Sequence, residues 1–314
     1  MKANCNLQSF FRQALLAVLA VSLSGCIYEY PDEDCVDMRR VEVRFNWEKA
    51  PAASPEGMAV KFFPESGSDL WRYDLPTGGG SVNLVDGEYH VGAFSNDTHD
   101  VVFEGNAGYS TFLVTTRESA LADGAGMTGY LAQPPKNIAE PVMSQPDRMW
   151  ACILDSWDFS AGVDVLELCP EPIVTCCHIA VENIENIGSA AMMSMALTGL
   201  SPGYKFSEGY YTDTPVTVPG SFSKTDQTAA FGTLLTFGKI PDAANLLNIY
   251  VWLRNGEKRV FTFDVTPQMT KPTTDKQIYI RVSGVSLPAI EPGQGGGMEV
   301  GVDNWEVIYI PLHT

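Results

Sequence analysis

Apolar residues in this chain recur mostly at every second position. Val41, Val43, Phe45 and Trp47 alternate with Glu42, Arg44 and Asn46, the pattern of a strand with one buried face. MAVKFFP, residues 58–64, reads as a second strand. Residues 70–75 read as a short third one among turn residues. In VNLVDGEYHVGAFSND, Asp86-Gly87 marks a turn, and Tyr89, Val91 and Ala93 share a strand face. His90 then falls on the opposite side, toward the surface. VVFEG and residues 109–116 continue the series. Residues 117–150 are rich in Ala, Gly, Pro and Gln and read as long loops with one or two short strands. Residues 164–168 lead into CPEPIVT, where two prolines place a domain boundary near Pro170 to Pro172.

The second half repeats this texture. VTCCHIAVENI, AMMSMALTGL, GTLLTFGKI, LLNIYVWLRNGEKRVFTFDV and KQIYIRVSGVSLP read as strands. Asn255-Gly256 between two apolar runs predicts a hairpin with a type I′ turn, whose two central residues both need positive φ. EPGQGGG is a flexible break, and VDNWEVIYIPL closes the chain as a last strand. Regular short strands separated by turn signals predict an all-β fold of sandwich type. After residue 26 no stretch has helical periodicity, and none offers the ~20 apolar residues of a membrane-spanning helix.

The first 25 residues follow a different rule. Lys2 and Arg12 flank an apolar run over residues 14–23, followed by Ser24, Gly25 and Cys26. A positive flank and a short apolar core are the layout of a secretory signal. Leu23-Ser24-Gly25-Cys26 resembles the bacterial lipobox, which implies a signal peptide over residues 1–25 and a lipidated Cys26 as the first mature residue. Residues 26–37 form an acidic tether without Lys or Arg. Its Glu29, Asp32, Glu33 and Asp34 resemble the surface-export signal of Bacteroidetes lipoproteins. The expected location is therefore the outer membrane, lipid-anchored and facing the cell exterior.

Charge and chemistry narrow the function. The formal net charge is −18. Residues 1–25 carry two positive and no negative charges, so the mature chain stands at −20. That argues against nucleic acid, whose phosphates need Lys and Arg. Cys35, Cys152, Cys169, Cys176 and Cys177 remain after the signal and Cys26 are set aside. With His178 they fit no familiar zinc spacing, so buried thiols or one disulfide are expected. There is no G-x-S-x-G, H-E-x-x-H or P-loop, and none of the four histidines stands in a triad order. No enzyme activity and no cofactor are expected. Asn96-Asp97-Thr98-His99-Asp100 lacks the spaced carboxylates of a calcium loop and reads as an Asx-type turn. Trp47, Trp252 and Trp305 lie in alternating strands and suit core packing. Trp71, Trp150 and Trp157 lie in less regular segments and are the candidates for stacking on a glycan, although packing explains each of them as well.

Several segments together resemble an uncharacterised family of Bacteroidales lipoproteins related to fimbrillin-like proteins. They are WEKAPAASPEGMAVKFFPESG, GGSVNLVDGEYHVGAFSNDTHDVVFEG, MALTGL, LLTFGKI, LNIYVWLRNGEKRVFTFDVTPQM and IYIRVSGVSLP. The resemblance implies two consecutive transthyretin-like, fimbrillin-like β-sandwich domains, residues 38–169 and 170–314. It implies a fimbrial anchor or accessory adhesion subunit that meets other fimbrial subunits by β-strand addition. The alternative is a glycan-binding surface lipoprotein of a polysaccharide-uptake system, with host or dietary glycans as ligands. In such families stalk subunits lose their first strand to a protease, whereas anchors keep it. Here Arg39-Arg40 is expected just before the first strand, and Lys49 in the loop after it.

Overall fold

A computed structural model of the chain describes residues 38–66, 70–121, 140–160, 165–209, 214–224, 226–270, 272–290 and 305–310. Cys26, Glu29, Asp32, Glu33, Asp34 and Cys35 lie outside the described residues. The first ten strands are β1 (Met38–Phe45), β2 (Met58–Pro64), β3 (Trp71–Leu75), β4 (Gly80–Val85), β5 (Gly87–Ser95), β6 (Val101–Glu104), β7 (Leu113–Thr116), β8 (Trp150–Phe159), β9 (Val165–Leu168) and β10 (Glu171–Pro172). The other ten are β11 (Thr175–Glu182), β12 (Ala190–Leu200), β13 (Gly203–Lys205), β14 (Val216–Ser221), β15 (Ser223–Lys224), β16 (Ala230–Thr236), β17 (Leu246–Leu253), β18 (Lys258–Asp264), β19 (Gln277–Ser283) and β20 (Trp305–Tyr309). Among the described residues the helical segments are three-residue 3-10 turns, and no helix is long and apolar enough to cross a membrane. The all-β expectation holds.

In the first half, the sheet β4-β1-β9 faces the sheet β10-β8-β5-β2-β3. Val41, Val43 and Phe45 of β1, Val60 and Phe62 of β2 and Leu166 and Leu168 of β9 share one core. The opposite face of the five-stranded sheet carries Ala59, Phe63 and Phe94. It packs against Phe112 and Val114 and, from the second half, Phe206. A third small sheet, β13-β7-β6, crosses the halves, since Gly203–Lys205 pairs with Leu113–Thr115. In the second half, the sheets β15-β16-β11-β19 and β14-β12-β17-β18-β20 enclose a core that includes Ile179, Met195, Ile249, Phe261 and Ile280.

Three local features depart from the pattern reading. β8 begins where the loop reading of residues 117–150 ends and fills most of the unassigned stretch before residue 164. Tyr89 pairs with Trp157 but Val91 with Leu154, so β8 carries one extra residue opposite His90. This bulge breaks the alternation that marks a strand. Tyr109–Thr111 is a 3-10 turn, and strand begins only at Leu113. The hairpin between β17 and β18 exists, but Gly256 has φ +89° while Asn255 is not in the positive-φ region. Leu253 accepts from the Gly256 amide at 3.0 Å and donates to the Glu257 carbonyl at 2.8 Å. The loop is therefore a three-residue connection with one left-handed residue, not a type I′ turn.

Lys61 is an unusual member of the core, only 2 % exposed. Its Nζ donates to Asn106 Oδ1 at 2.6 Å and lies 4.0 Å from the Phe112 ring centroid. Burial first, and the charge of Arg72 second, lower its pKa from 10.5 to about 8.

Two expectations follow from these positions. A side chain at Gly256 meets open space, so a substitution there tests backbone conformation alone. Gly256→Val should lower unfolding free energy by about 1–2 kcal/mol. Asn255→Ala, which removes an exposed bond to the Glu257 amide, should cost less than about 1 kcal/mol. The reverse order in denaturant midpoints would contradict the turn assignment. For Lys61, the folded chain releases between about pH 8 and pH 10.5 a proton that the unfolded chain retains, so stability rises with pH across that window. Lys61→Met lacks this gain. Wild type should therefore improve relative to the variant between about pH 7 and pH 10. Denaturant titrations showing a gap independent of pH would refute it.

Candidate functional site

The first strand is an inner strand. β1 lies between β4 and β9 and runs parallel to β9, with Glu42 opposite Val165 and Phe45 opposite Leu168. Its approach to the β3–β4 turn needs a glycine. A Cβ at Gly79, which has φ +99°, would sit 2.0 Å from the Val43 carbonyl oxygen. The strand starts earlier than the alternation indicates, and this corrects the placement of Arg39 and Arg40. Both lie within β1. Arg39 Nε is 2.5 Å from Asp86 Oδ1, and its guanidinium sits 4.4 Å from the Phe159 ring centroid. Arg40 Nη2 donates to Ser81 Oγ at 2.6 Å, and Ser81 Oγ donates to Glu42 Oε2 at 2.7 Å. Lys49 follows the strand in a turn. It is well exposed and paired with Glu171 at 3.3 Å, which raises its pKa.

The three tryptophans proposed for glycan stacking occupy two kinds of environment. Trp71 and Trp157 pack against the core beneath β1. The Trp157 ring centroid is 5.9 Å from Phe62 and 5.3 Å from Phe159. Trp150 instead lines a cleft of about 300 Å³ together with Arg148, Gln277 and Tyr279. Pattern reading missed Tyr279, although the signal was there. Ile278, Ile280 and Val282 of β19 face the core, so the alternation QIYIRVS sends an aromatic ring outward. Tyr279 is 62 % exposed.

Beside Tyr279 stands a cluster of polarisable and polar groups. The His178 and Tyr279 rings stack with centroids 5.0 Å apart. His178 Nε2 is 2.8 Å from Gln277 Oε1 and 3.6 Å from Cys176 Sγ. Arg148 Nη2 lies 3.7 Å from the same sulfur. Cys152, Cys169, Cys176 and Cys177 are free thiols. Burial raises the pKa of Cys152 and pushes Cys177 up to about 12, so neither supplies thiolate near neutrality.

Elsewhere the polar residues singled out in the sequence tie loops together. Asp97 Oδ2 accepts from the Glu56 amide at 3.0 Å, and Asn96 Nδ2 donates to Asp74 Oδ1 at 3.2 Å. The amides of His99 and Asp100 donate to Asp147 Oδ2 at 2.8 and 2.7 Å. His90 does not simply face solvent. Its ring stacks on Tyr109 with centroids 4.3 Å apart, and Nδ1 meets the Asp155 carbonyl on the β8 bulge. The Tyr109 hydroxyl donates to Asp155 Oδ1 at 2.6 Å.

Comparison with known proteins places this geometry. A curated Bacteroides ovatus protein named "Putative fimbrium anchoring subunit Fim4B" is 24% identical over 200 residues, 62% of this chain and 54% of its own length. The chain thus matches about half the length of that relative. A crystal structure from Bacteroides ovatus, described as "a putative adhesin", is similar with a TM-score of 0.62 at 20% identity, covering 85% of this chain and 99% of that one. A second, from Bacteroides thetaiotaomicron and described as "putative polysaccharide binding proteins (DUF1812)", gives 0.55 at 12% identity over 78% of this chain and 90% of that one. At these identities the solved structures establish a shared fold. The profile of the family described as "Domain of unknown function (DUF5119)" matches residues 26–220, from Cys26 through β1 and both sheets of the first half into β14. That is more than half of the 314 residues, and the chain belongs to the DUF5119 family.

Proposed function

We propose that this chain is a lipid-anchored protein of the outer bacterial surface that serves as a fimbrial anchor or accessory adhesion subunit. The central place of β1 carries the reading. Val41 and Val43 are fully buried and Phe45 is 9 % exposed, in a strand paired on both sides. Fully burying one such side chain is worth about 1.5–3 kcal/mol, so expelling all three would open an apolar slot at a cost of several kcal/mol. A unit that keeps this strand keeps its covalent path to Cys26. Residues 26–37, with Glu29, Asp32, Glu33 and Asp34, then form the tether between acyl chains and fold. Domains over residues 38–169 and 170–314 and association with other fimbrial subunits belong to the same reading. The name of the Bacteroides ovatus relative supports it, as does the fold shared with the Bacteroides ovatus adhesin structure.

Cys26→Ala should move the protein from the membrane fraction to the soluble fraction, because two or more acyl chains are what hold such a protein stably. Retention of the variant after high-salt washing would contradict the lipid anchor. The strand makes a separate prediction. Trypsin added to intact cells should cut after Lys49 far sooner than after Arg39 or Arg40, which are held in the sheet by Asp86 and Ser81. Mass spectrometry of untreated surface protein should find β1 still attached. A dominant N-terminus at Ala50, together with SDS-resistant ladders, would overturn the anchor role.

A further inference from the structure

The outward face of the sheet β15-β16-β11-β19 is a patterned trough. Across it, His178 of β11 stands level with Thr233 of β16 and Tyr279 of β19, and Ala180 with Phe231 and Arg281. Ala180 is small and forms a low floor. Tyr279, 62 % exposed, and Phe231, 43 % exposed, stand on either side of it. Strand spacing and rise put their Cα atoms about 12 Å apart. The cleft here measures about 540 Å³, and Glu182 and Arg281 border it. Tyr279 also lines the neighbouring cleft of about 300 Å³, where Trp150, Arg148, Asp275 and Gln277 are found. Tyr279 thus joins two clefts into one groove.

Three observations select an occupant. Aromatic rings alternate with polar side chains along it, Trp150, Tyr279 and Phe231 with Arg148, Gln277 and Arg281. The charged residues lining the two clefts are two of each sign, Arg148 and Arg281 against Asp275 and Glu182, so the lining itself selects neither a polyanion nor a polycation. The edge of β19 is closed to a polypeptide strand at two places. Thr273 takes both backbone groups of Gln277, donating its amide at 2.9 Å and accepting through Oγ1 at 3.0 Å. The Gln268 side chain takes both backbone groups of Arg281, at 3.0 and 2.8 Å. A strand pairing along this edge would meet occupied groups on both sides of Tyr279, whereas the side chains suit a molecule with apolar ring faces and hydroxyl edges.

We infer that this groove, centred on Tyr279 between Trp150 and Phe231, binds a neutral oligosaccharide. Sugar rings lie on Tyr279 and Phe231, and Arg281 and Glu182 meet the hydroxyls. His178, fixed by Gln277, backs the Tyr279 ring from the sheet side and holds its orientation. The inference goes beyond the anchoring role and stands whether or not Cys26 is lipidated.

The test is calorimetric titration of the purified full chain, in detergent, with neutral gluco-, xylo-, manno- and N-acetylglucosamine oligosaccharides. At least one series should bind. Tyr279→Ala and Phe231→Ala should weaken it about tenfold, the loss of one stacking ring. Tyr279→Phe, which keeps the ring, and Trp71→Phe, outside the groove, should bind as wild type does. Both alanine variants alter exposed side chains, and unchanged melting transitions would confirm that they fold. Failure of every saccharide to bind, or wild-type affinity in Tyr279→Ala, would overturn the inference. So would occupation of the groove by a peptide and by no saccharide.

Discussion

The five-stranded sheet β10-β8-β5-β2-β3 is covered on both faces, and much of the first half follows from that. A sheet with one wet face alternates apolar and polar residues, whereas one buried on both sides reads as continuous apolar runs. MAVKFFP is such a run, with six of its seven positions buried. The single charge in it, Lys61, has no wet side to turn to. It settles under the Phe112 ring against Asn106 and loses part of its basicity to burial. Each covering layer draws on distant sequence. One contains β1, at the start of the described chain. The other draws Phe206 from the second half, so the first half completes its core only when the second is in place.

That dependence bears on how β1 can be held. A strand on the edge of a sheet can leave by breaking one ladder. β1 has neighbours on both sides and apolar residues pointing into the core of the covered sheet. Three of its four charged residues are engaged too, Arg39 over Phe159, and Arg40 and Glu42 through Ser81. Removing it would expose Val60, Phe62 and Leu168 together. Packing and pairing thus act on the same eight residues, and neither can be relaxed without the other.

The strands most legible in the sequence were those with an intact period of two or a long apolar run. β2, β5, β17, β18 and β19 stood out for this reason. The misses have particular causes. In β8 the bulge at Asp155 shifts the period, so WACILDSWDF reads as neither a clean alternation nor a run. Tyr109–Thr111 has strand-like residues, but the Thr111 and Phe112 amides close local bonds to Gly108 and Tyr109. Asn-Gly marked the hairpin correctly while its turn type depended on which residue took positive φ, a choice made by the strand ends. Of the proposed stacking residues, Trp71 and Trp157 were drawn into the core because Phe62 and Phe159 lie on the same side of the sheet. The residue that the alternation itself pushed outward, Tyr279, passed unnoticed because it sat among the apolar residues of a good strand.

β19 poses a problem that its neighbours solve. It is an edge strand with an exposed tyrosine at its centre, the combination that invites pairing with other chains. A proline or an inward charge would blunt the edge, but either would also disturb the row of Ile278, Ile280 and Val282 that faces the core. Instead, the side chains of Gln268 and Thr273 occupy backbone groups on either side of Tyr279. An amide side chain carries a donor and an acceptor in one plane, so a single glutamine imitates one residue of a neighbouring strand. The ladder is interrupted at Gln277 and Arg281 without a further strand. An aromatic ring can then stand in solvent at the edge of a sheet where a pairing strand would find the positions on either side of it already occupied.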